Sequence, residues 1–560
     1  MLILIIGMVF LRKKIVKGKP YWYVVEAARV DGKVKTIFQV YLGSAEKILE
    51  MKRQCESLPY DKLRSFDYGK LAALLHVNEE LGFIDIVNKH TDKKSINGLS
   101  VGEYLLLDVI GKSHGVLSEN GIEDWFKKSP LAFMWNFSHK LNCQNFLNQM
   151  SYIDLDTMKR IEDDLCRVLV GKGFTPSIMF VDESNWFTYA NNYDNESELL
   201  HKGYNKKHRK DKNQICVSLA VNEDNIPFVH ETYPGNVHDS EEFSGIVDKI
   251  INRLTELNIC SEDLVLVFDK GNNSKDNIEK VTSKMSFVGA AKANQAEELL
   301  DVPLSKYECL YKNSKGNKIL GYRTKHQFFG TEYTTVTTYN EGTYKLQKST
   351  YETNKSRIIE SLEDLRRRLE SSKGKERNRS SVEREVAGII LKKYSSIIKY
   401  EIIETLEGKK KPQLKFWLDE ENEKKCEKTF GKNILFTDKQ KWQTKKIVKT
   451  YNSKNLVEDD FKLLNDHLLV PVGPVYHHKD ENIRVHVFLA MIGLLFYRYL
   501  AWETKIYGLS MKQLIEKLSE IKIAVVQERE SKKSKIIVEE MDTKQASLFS
   551  FLNMQKYLPS

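Results

Sequence analysis

Two aspartates and a glutamate carry the most suggestive chemistry in the sequence. Asp182 closes the apolar run SIMFVD at 177–182, and Asp269 closes LVLVFD at 264–269. Both runs have the length and apolar character of buried strands, so each predicts an acid at the carboxyl end of a strand. If the strands are neighbours, both carboxylates project from one rim of a sheet. Converging carboxylates repel and are costly to desolvate, and a divalent cation relieves both problems. Water-exposed acids at two strand ends are the alternative reading at this point. A third acid, Glu458, lies in a segment whose spacing predicts a long helix over 438–467. Tyr451, Lys454, Glu458, Lys462 and Asn465 recur every three or four residues and form one stripe, beside an apolar face of Val448, Val457, Phe461 and Leu464. By spacing alone that stripe is equally a surface ladder of ion pairs.

Taken together, these segments resemble bacterial insertion-sequence transposases of the DDE class, in the group with a Y-R-E-K signature around the glutamate. MFVDESNWF resembles the first-aspartate motif at Asp182, and VFDKGNNSKDN the second at Asp269, with Lys270 and Gly271 following. YPGNVHDSEEF resembles the P-G-N-x-x-D segment between them (Pro234, Gly235, Asn236, Asp239). YNSKNLVEDDFKLL and PVYHHKDENIRVHVFLAMIGLL resemble the glutamate helix and the helix after it, and Thr437-Asp438 resembles the pair that precedes them. The N-terminal hairpin ending in YLG also resembles the start of this group. Two positions depart from the signature: its arginine is Lys454 here, which loses the bidentate fork, and its closing lysine falls at Asn465.

The resemblance implies an RNase H-like catalytic domain in which Asp182, Asp269 and Glu458 are both the catalytic residues and the metal ligands. It implies two Mg²⁺ ions, with Mn²⁺ able to substitute, about 3.5–4 Å apart as in other two-metal phosphodiester enzymes. The activity implied is DNA cleavage and strand transfer. The partners are double-stranded DNA, both terminal inverted repeats and target, and a second copy of the chain to hold two ends. Tyr451, Lys454 and Lys462 would grip phosphates near the cleaved end, contacts that position DNA without reading it. A catalytically inactive relative that only binds DNA, and an RNase H-like nuclease that does not join, are the alternatives.

Basic side chains are concentrated locally. The segment HKGYNKKHRKDK at 201–212 holds six Lys or Arg in twelve residues, and Lys206, Lys207, Arg209 and Lys210 are its candidate DNA contacts, against a solvated loop. His201, His208 and His238 lie near the motifs and read as surface or phosphate-contacting residues; His477, His478 and His486 receive no chemical role. Seven cysteines, at 55, 143, 166, 216, 260, 309 and 426, include no CxxC pair and read as reduced thiols.

These side chains need elements to hold them. After 174 the pattern predicts β-β-β-α-β-α-β: strands at 177–182, 214–221, 226–233, 264–269 and 287–292, with helices over 240–257 and 274–283. The fold class expected is α/β, an RNase H-like mixed sheet with helices. A β-rich and helical insertion interrupts it, and an N-terminal β hairpin and a helical region precede it. The segments are 1–57, an N-terminal β unit; 58–172, helical and a candidate for DNA binding; 173–299, the first catalytic part; 300–430, the insertion; 431–508, the second catalytic part; and 509–560, a tail. Within the insertion, Asn340, Glu341 and Gly342 predict a hairpin turn, Ile358 to Leu369 a helix stripe, and SSKGKERNRSS a solvated basic tip. The 560 residues are 41% hydrophobic and 29% charged, which excludes global disorder, and the net charge of +10 requires any nucleic-acid site to be a local concentration. MLILIIGMVF is too short to span a bilayer and lacks the charge order of a signal peptide, and Met8 is an alternative start. The run Val487 to Tyr497 predicts a buried core helix. The expectation is a cytoplasmic bacterial protein, nucleoid-associated when on DNA, with no membrane partner.

Overall fold

The computed structural model describes residues 8–30, 33–56, 60–91, 98–116, 118–135, 141–190, 197–203, 205, 211–237, 239–371, 377–404, 412–467, 469–528 and 534–559. The chain divides into two units. One comprises the residues up to Ala73, Lys128–Trp135 and the residues from Lys512; the other comprises Leu74–Lys127 and Asn136–Met511.

The larger unit is built on a nine-stranded mixed sheet. Its strands are β1 (Ile178–Phe187), β2 (Gln214–Asn222), β3 (Pro227–Pro234), β4 (Val265–Val267), β5 (Ser286–Ala291), β6 (Glu308–Lys312), β7 (Lys318–Phe328), β8 (Thr331–Asn340) and β9 (Lys432–Thr437). They lie in the order β6-β7-β8-β9-β5-β4-β1-β2-β3. Only β1–β4 and β4–β5 pair in parallel. The predicted strand and helix order from 177 to 292 is the observed one, with α1 (Asp239–Glu256) and α2 (Lys275–Thr282) between the parallel strands. All nine residues of β2 are buried, as a strand in a sheet covered on both faces requires, with Gln214, Ser218 and Asn222 the polar residues among them. Ser274 caps α2 through the amide of Asn277.

Residues 308–340 extend this sheet at its far edge. Beyond them, α3 (Glu341–Glu370), α4 (Arg379–Ile389) and the strand pair Ile398–Ile403 and Gln413–Leu418 enclose a separate core that includes Tyr351, Leu362, Leu365, Val382, Val386 and Tyr394. The hairpin predicted at Asn340 is absent. Asn340 instead caps the 30-residue α3, its side chain accepting from the amides of Gly342 and Thr343. Asn serves both turns and helix caps, so the residue type alone does not separate them. The actual hairpin turns one strand earlier, at Phe329 (φ 54°) and Gly330 (φ 86°), both left-handed as a two-residue hairpin loop requires.

Two further expectations are corrected. The strand carrying Asp182 does not end there but runs on to Phe187, because ESNWF continues the antiparallel ladder with β2. The helix predicted over 438–467 is two, α5 (Thr444–Asn452) and α6 (Asn455–Leu463). At the join the amide of Lys454 bonds to the carbonyl of Tyr451, and that of Val457 to Lys454, both one residue tighter than the α pattern.

Behind the sheet, α7 (Asp480–Glu503) is among the described residues the one helix long and apolar enough to cross a membrane, and 83% of its most apolar stretch is buried. It packs on the helix Val101–Ser113, of which twelve residues are buried, making both core helices.

The smaller unit contains a three-stranded antiparallel sheet, Met8–Val16, Lys19–Val30 and Lys33–Gly43, followed by the helix Ala45–Glu56. Its second sheet joins chain segments distant in sequence: Lys522–Glu528 pairs with Tyr60–Asp67 on one side and Ser534–Val538 on the other.

Candidate active site

Asp182 and Asp269 meet because of strand register. Ile178 pairs with Val265 and Phe180 with Val267, and β4 then stops. The offset, 265 − 178, equals 269 − 182, so the same register carried two residues on sets Asp269 level with Asp182. Asp182 itself remains in the ladder with Leu219 of β2, which holds its backbone rigidly. Asp269 sits on a tight turn, its Oδ1 accepting from the amide of Gly271 at 2.5 Å. A Cβ on Gly271 would stand 2.8 Å from that same oxygen, so any side chain there would push the Asp269 carboxylate aside. Asn272 anchors the turn to β1 through Glu183, 2.9 Å from Nδ2 to Oε1.

α5 and α6 bring the third acid. Lys454, at their join, is buried with 6% of its surface exposed. Its Nζ lies 3.0 Å from Asp182 Oδ1 and 3.8 Å from Glu458 Oε1. Burial pushes the Asp182 carboxyl up, Asp269 and Glu458 push it further, and Lys454 only partly offsets them. Burial alone would lower Lys454, but the charges of Asp182, Asp269 and Glu458 outweigh it and hold the ammonium protonated. Tyr451 is raised first by burial and also by Asp269 and Glu458, which places its hydroxyl in the same field. Of the predicted site residues, the structure therefore gathers Asp182, Asp269, Glu458, Lys454 and Tyr451. Lys462 is exposed and pairs with Asp459 at 2.6 Å. Lys206, Lys207, Arg209 and Lys210, with His208 and His238, lie outside the described residues.

Asn465 has a definite structural task. Its Oδ1 accepts from Trp186 Nε1 at 3.0 Å and its Nδ2 donates to the Phe461 carbonyl at 2.6 Å. It thereby ties the strand of Asp182 to the helix of Glu458. Thr437-Asp438 stitches β9 to β5, Asp438 Oδ1 accepting from the Phe287 amide at 3.0 Å and the Thr437 hydroxyl donating to the Phe287 carbonyl. Gly235, of the P-G-N segment, lies where a Cβ would come within 2.1 Å of the Gln214 carbonyl, so that segment is a close backbone crossing beside β2.

Residues 173–496, more than half of the chain, match the model of the transposase DDE domain. The chain belongs to this family. No curated protein matches it. DDE transposases generally use divalent metals, and the donor set of this DDE domain suits one: three carboxylates with hard oxygen atoms, of which Asp182 and Glu458 already share the Lys454 ammonium and Asp269 acts on the same charge.

Sequence reasoning missed a second cluster. Glu119, His477 and His486 have ligand atoms within 4.8 Å of one another and are buried or nearly so. A cation is already at hand there. Lys112 Nζ lies 3.2 Å from His486 Nδ1 and 2.7 Å from Asp108, while His486 Nε2 engages the Val472 carbonyl at 2.8 Å. Both ring nitrogens of His486 are thus in use, and burial with the Lys112 charge keeps the ring neutral. Glu119 meets burial that would raise it, but His477 and Lys112 take it down to about 2. The cluster is a buried ion network that links the loop after α6 to the core. A cavity of about 460 Å³ elsewhere in this unit is lined by Glu162, His230, Lys249, Arg253 and Arg484, whose charges pair with one another or with Glu231.

Proposed function

We propose that this DDE-domain protein is an insertion-sequence transposase that binds the ends of its element and catalyses metal-dependent cleavage and strand transfer, with Asp182, Asp269 and Glu458 as its catalytic acids. The observation that carries the reading is that Asp182 on a rigid strand and Glu458 on a helix share one buried ammonium, with Asp269 set level with Asp182 by strand register and acting on the same charge. Such a cluster is electrostatically unfavourable unless its purpose is to hold cations. The central strand order β3-β2-β1-β4-β5, with only β1–β4 and β4–β5 parallel, supports an RNase H-like core.

Asp182, Asp269 and Glu458 would hold Mg²⁺, or Mn²⁺ in its place. Bound there, divalent ions supply Lewis-acid activation of the attacking hydroxyl and stabilisation of the leaving oxygen. The chain's own contribution is position. The β1–β2 ladder fixes Asp182, the Gly271 amide orients Asp269, and Asn465 fixes the distance of α6 from β1. Lys454 offsets part of the negative charge of the cluster before DNA arrives. With the acids holding cations, the Lys454 ammonium would be free to meet a phosphate, together with Tyr451. Two copies of the chain would hold the two ends, in the cytoplasm on nucleoid DNA.

The test is a duplex carrying the ends found beside the gene, incubated with Mg²⁺ and a supplied 3′-hydroxyl end. Asp182→Ala, Asp269→Ala and Glu458→Ala should each abolish cleavage and joined product while binding the duplex as before. Joining retained in any one removes that residue from the site. Cleavage without joining identifies a nuclease, and binding without cleavage by the unsubstituted protein identifies an inactive relative.

A further inference from the structure

Charge is distributed very unevenly along this chain. Residues 8–43 hold eight Lys or Arg against Glu26 and Asp31, a net +6 in a protein whose total is +10. That segment forms the three-stranded sheet of the smaller unit. Its register sorts the side chains by face. Arg12 lies opposite Tyr23, Lys14 opposite Tyr21, and Tyr23 opposite Tyr41. Phe10, Arg12 and Lys14 alternate along the first strand, so all six share one face. The rings pack as a group: Tyr41 stands 6.0 Å from Tyr21 and 5.1 Å from Tyr23, centroid to centroid. The cations lie on the rings, Lys14 Nζ 4.8 Å above Tyr23 and the Arg12 guanidinium 5.5 Å above Phe10. Among the described residues neither cation has a carboxylate partner.

Burial identifies which part of this face is available. Val25 and Ala27, further along the central strand, are covered. Tyr21 and Tyr23 are half-buried, and Tyr41 and Phe10 are exposed. A face that leaves aromatic rings open to water, with cations interleaved and no acid beside them among the described residues, is suited to a polyanion that carries its own flat rings. Duplex DNA hides its base faces in the stack. Single-stranded DNA offers both phosphates and base faces, and alternating aromatic and basic side chains are how proteins grip it without reading sequence.

We propose that the face formed by Phe10, Arg12, Lys14, Tyr21, Tyr23 and Tyr41 binds single-stranded DNA by stacking and phosphate contact. The inference rests on the transposase reading, which supplies unpaired strand ends at the cleavage step, and it adds a site outside the DDE domain.

The experiment measures fluorescence anisotropy of a labelled oligothymidylate with the full chain in chelator, so that catalysis plays no part. Tyr23→Leu/Tyr41→Leu should weaken binding by about 10-fold or more, and Tyr23→Phe/Tyr41→Phe should keep most of it, because the stacking ring survives. Arg12→Gln/Lys14→Gln should reduce the slope of log K against log salt by about 1.4, at roughly 0.7 per single-strand phosphate contact. Leu11→Ala, on the opposite face, should change neither. Unaltered binding in the leucine pair overturns the proposal, and so does an equal loss in the phenylalanine pair. Equal competition by polyglutamate also overturns it, since that marks a plain basic patch for acidic protein. If the unsubstituted protein binds and cuts duplex ends but ignores the single strand, this inference alone falls; if it binds no DNA of either kind, the transposase reading falls with it.

Discussion

Replacing Lys454 with methionine tests the electrostatic account of the site most directly. Methionine keeps the length and apolar contacts of the buried stem and removes only the charge. At 3.0 Å and an effective dielectric constant of about 20, the attraction between Lys454 and Asp182 is roughly 5 kcal/mol. The Glu458 partner adds less, because that side chain is 50% exposed and screened by water. Part of the attraction only repays the burial of the ammonium, so the expected net loss is about 3 kcal/mol, the usual cost of stripping one partner from a buried pair. In chelator, the urea midpoint should fall by about 1 M for a slope of about 3 kcal/mol/M. A divalent cation should then do for Lys454→Met what the ammonium does for the native chain. At a hundred times its dissociation constant it contributes about 2.7 kcal/mol, which returns most of the loss. The native protein should gain less from the same ion, since the ion must displace Lys454 from Asp182. A midpoint unchanged in chelator refutes the buried pair, and equal stabilisation of both proteins by Mg²⁺ or Mn²⁺ refutes the shared position.

Three further outcomes are expected. Trp186→Phe and Asn465→Leu should each slow strand transfer roughly tenfold or more by loosening α6 against β1, consistent with the cost of small misplacements at catalytic groups, while duplex binding in a gel-shift assay stays native. Gly271→Ala should impair cleavage with little loss of folding by circular dichroism, because the added methyl reaches the Asp269 carboxylate from an exposed turn. Burial would raise Glu162, but His230 and Arg253 hold it down to about 2, below its ordinary 4.5. A depressed acid stabilises above its unfolded pKa and that stability drains away as pH falls from about 4.5 to about 2, an order-of-magnitude loss of about 3 kcal/mol. Glu162→Gln should flatten the acid limb of the stability curve; an unchanged limb assigns it elsewhere.

The strand order around the acids was readable from the sequence because buried strands announce themselves as short apolar runs, as β4, β5 and the first half of β1 do, and because the mostly apolar β2 and the more mixed β3 are set off by a polar turn. Three features were not. Asp182 stands inside its strand because the polar stretch Glu183–Asn185 keeps pairing with β2, and ladder pairing leaves no mark in polarity. Asn340 looks alike in a turn and in a cap, and only the tertiary path of α3 decides between them. The hairpin at Phe329-Gly330 was hidden by a phenylalanine in a left-handed conformation that side chains of its kind rarely adopt.

The direction of Lys454 is the more instructive case. The stripe Tyr451, Lys454, Glu458 was drawn on one continuous helix and survives on two, because Ser453 and Lys454 both keep right-handed helical dihedrals at the join. Periodicity therefore located the lysine correctly without saying what it faces. A stripe on a helix can look outward to phosphate or inward to carboxylates, and the residue types fit both. What settles the direction is the 87-residue offset shared by the strand register and the two aspartates. Once Asp182 and Asp269 are level across β1 and β4, their combined negative charge beside an apolar sheet needs a cation in any state of the protein. Lys454, one helical turn before Glu458, is the one that pairs with Asp182. The departure from the arginine of the signature then acquires a physical sense: an ammonium is a compact point charge that can occupy an ion's position among carboxylates, where a planar guanidinium would span it.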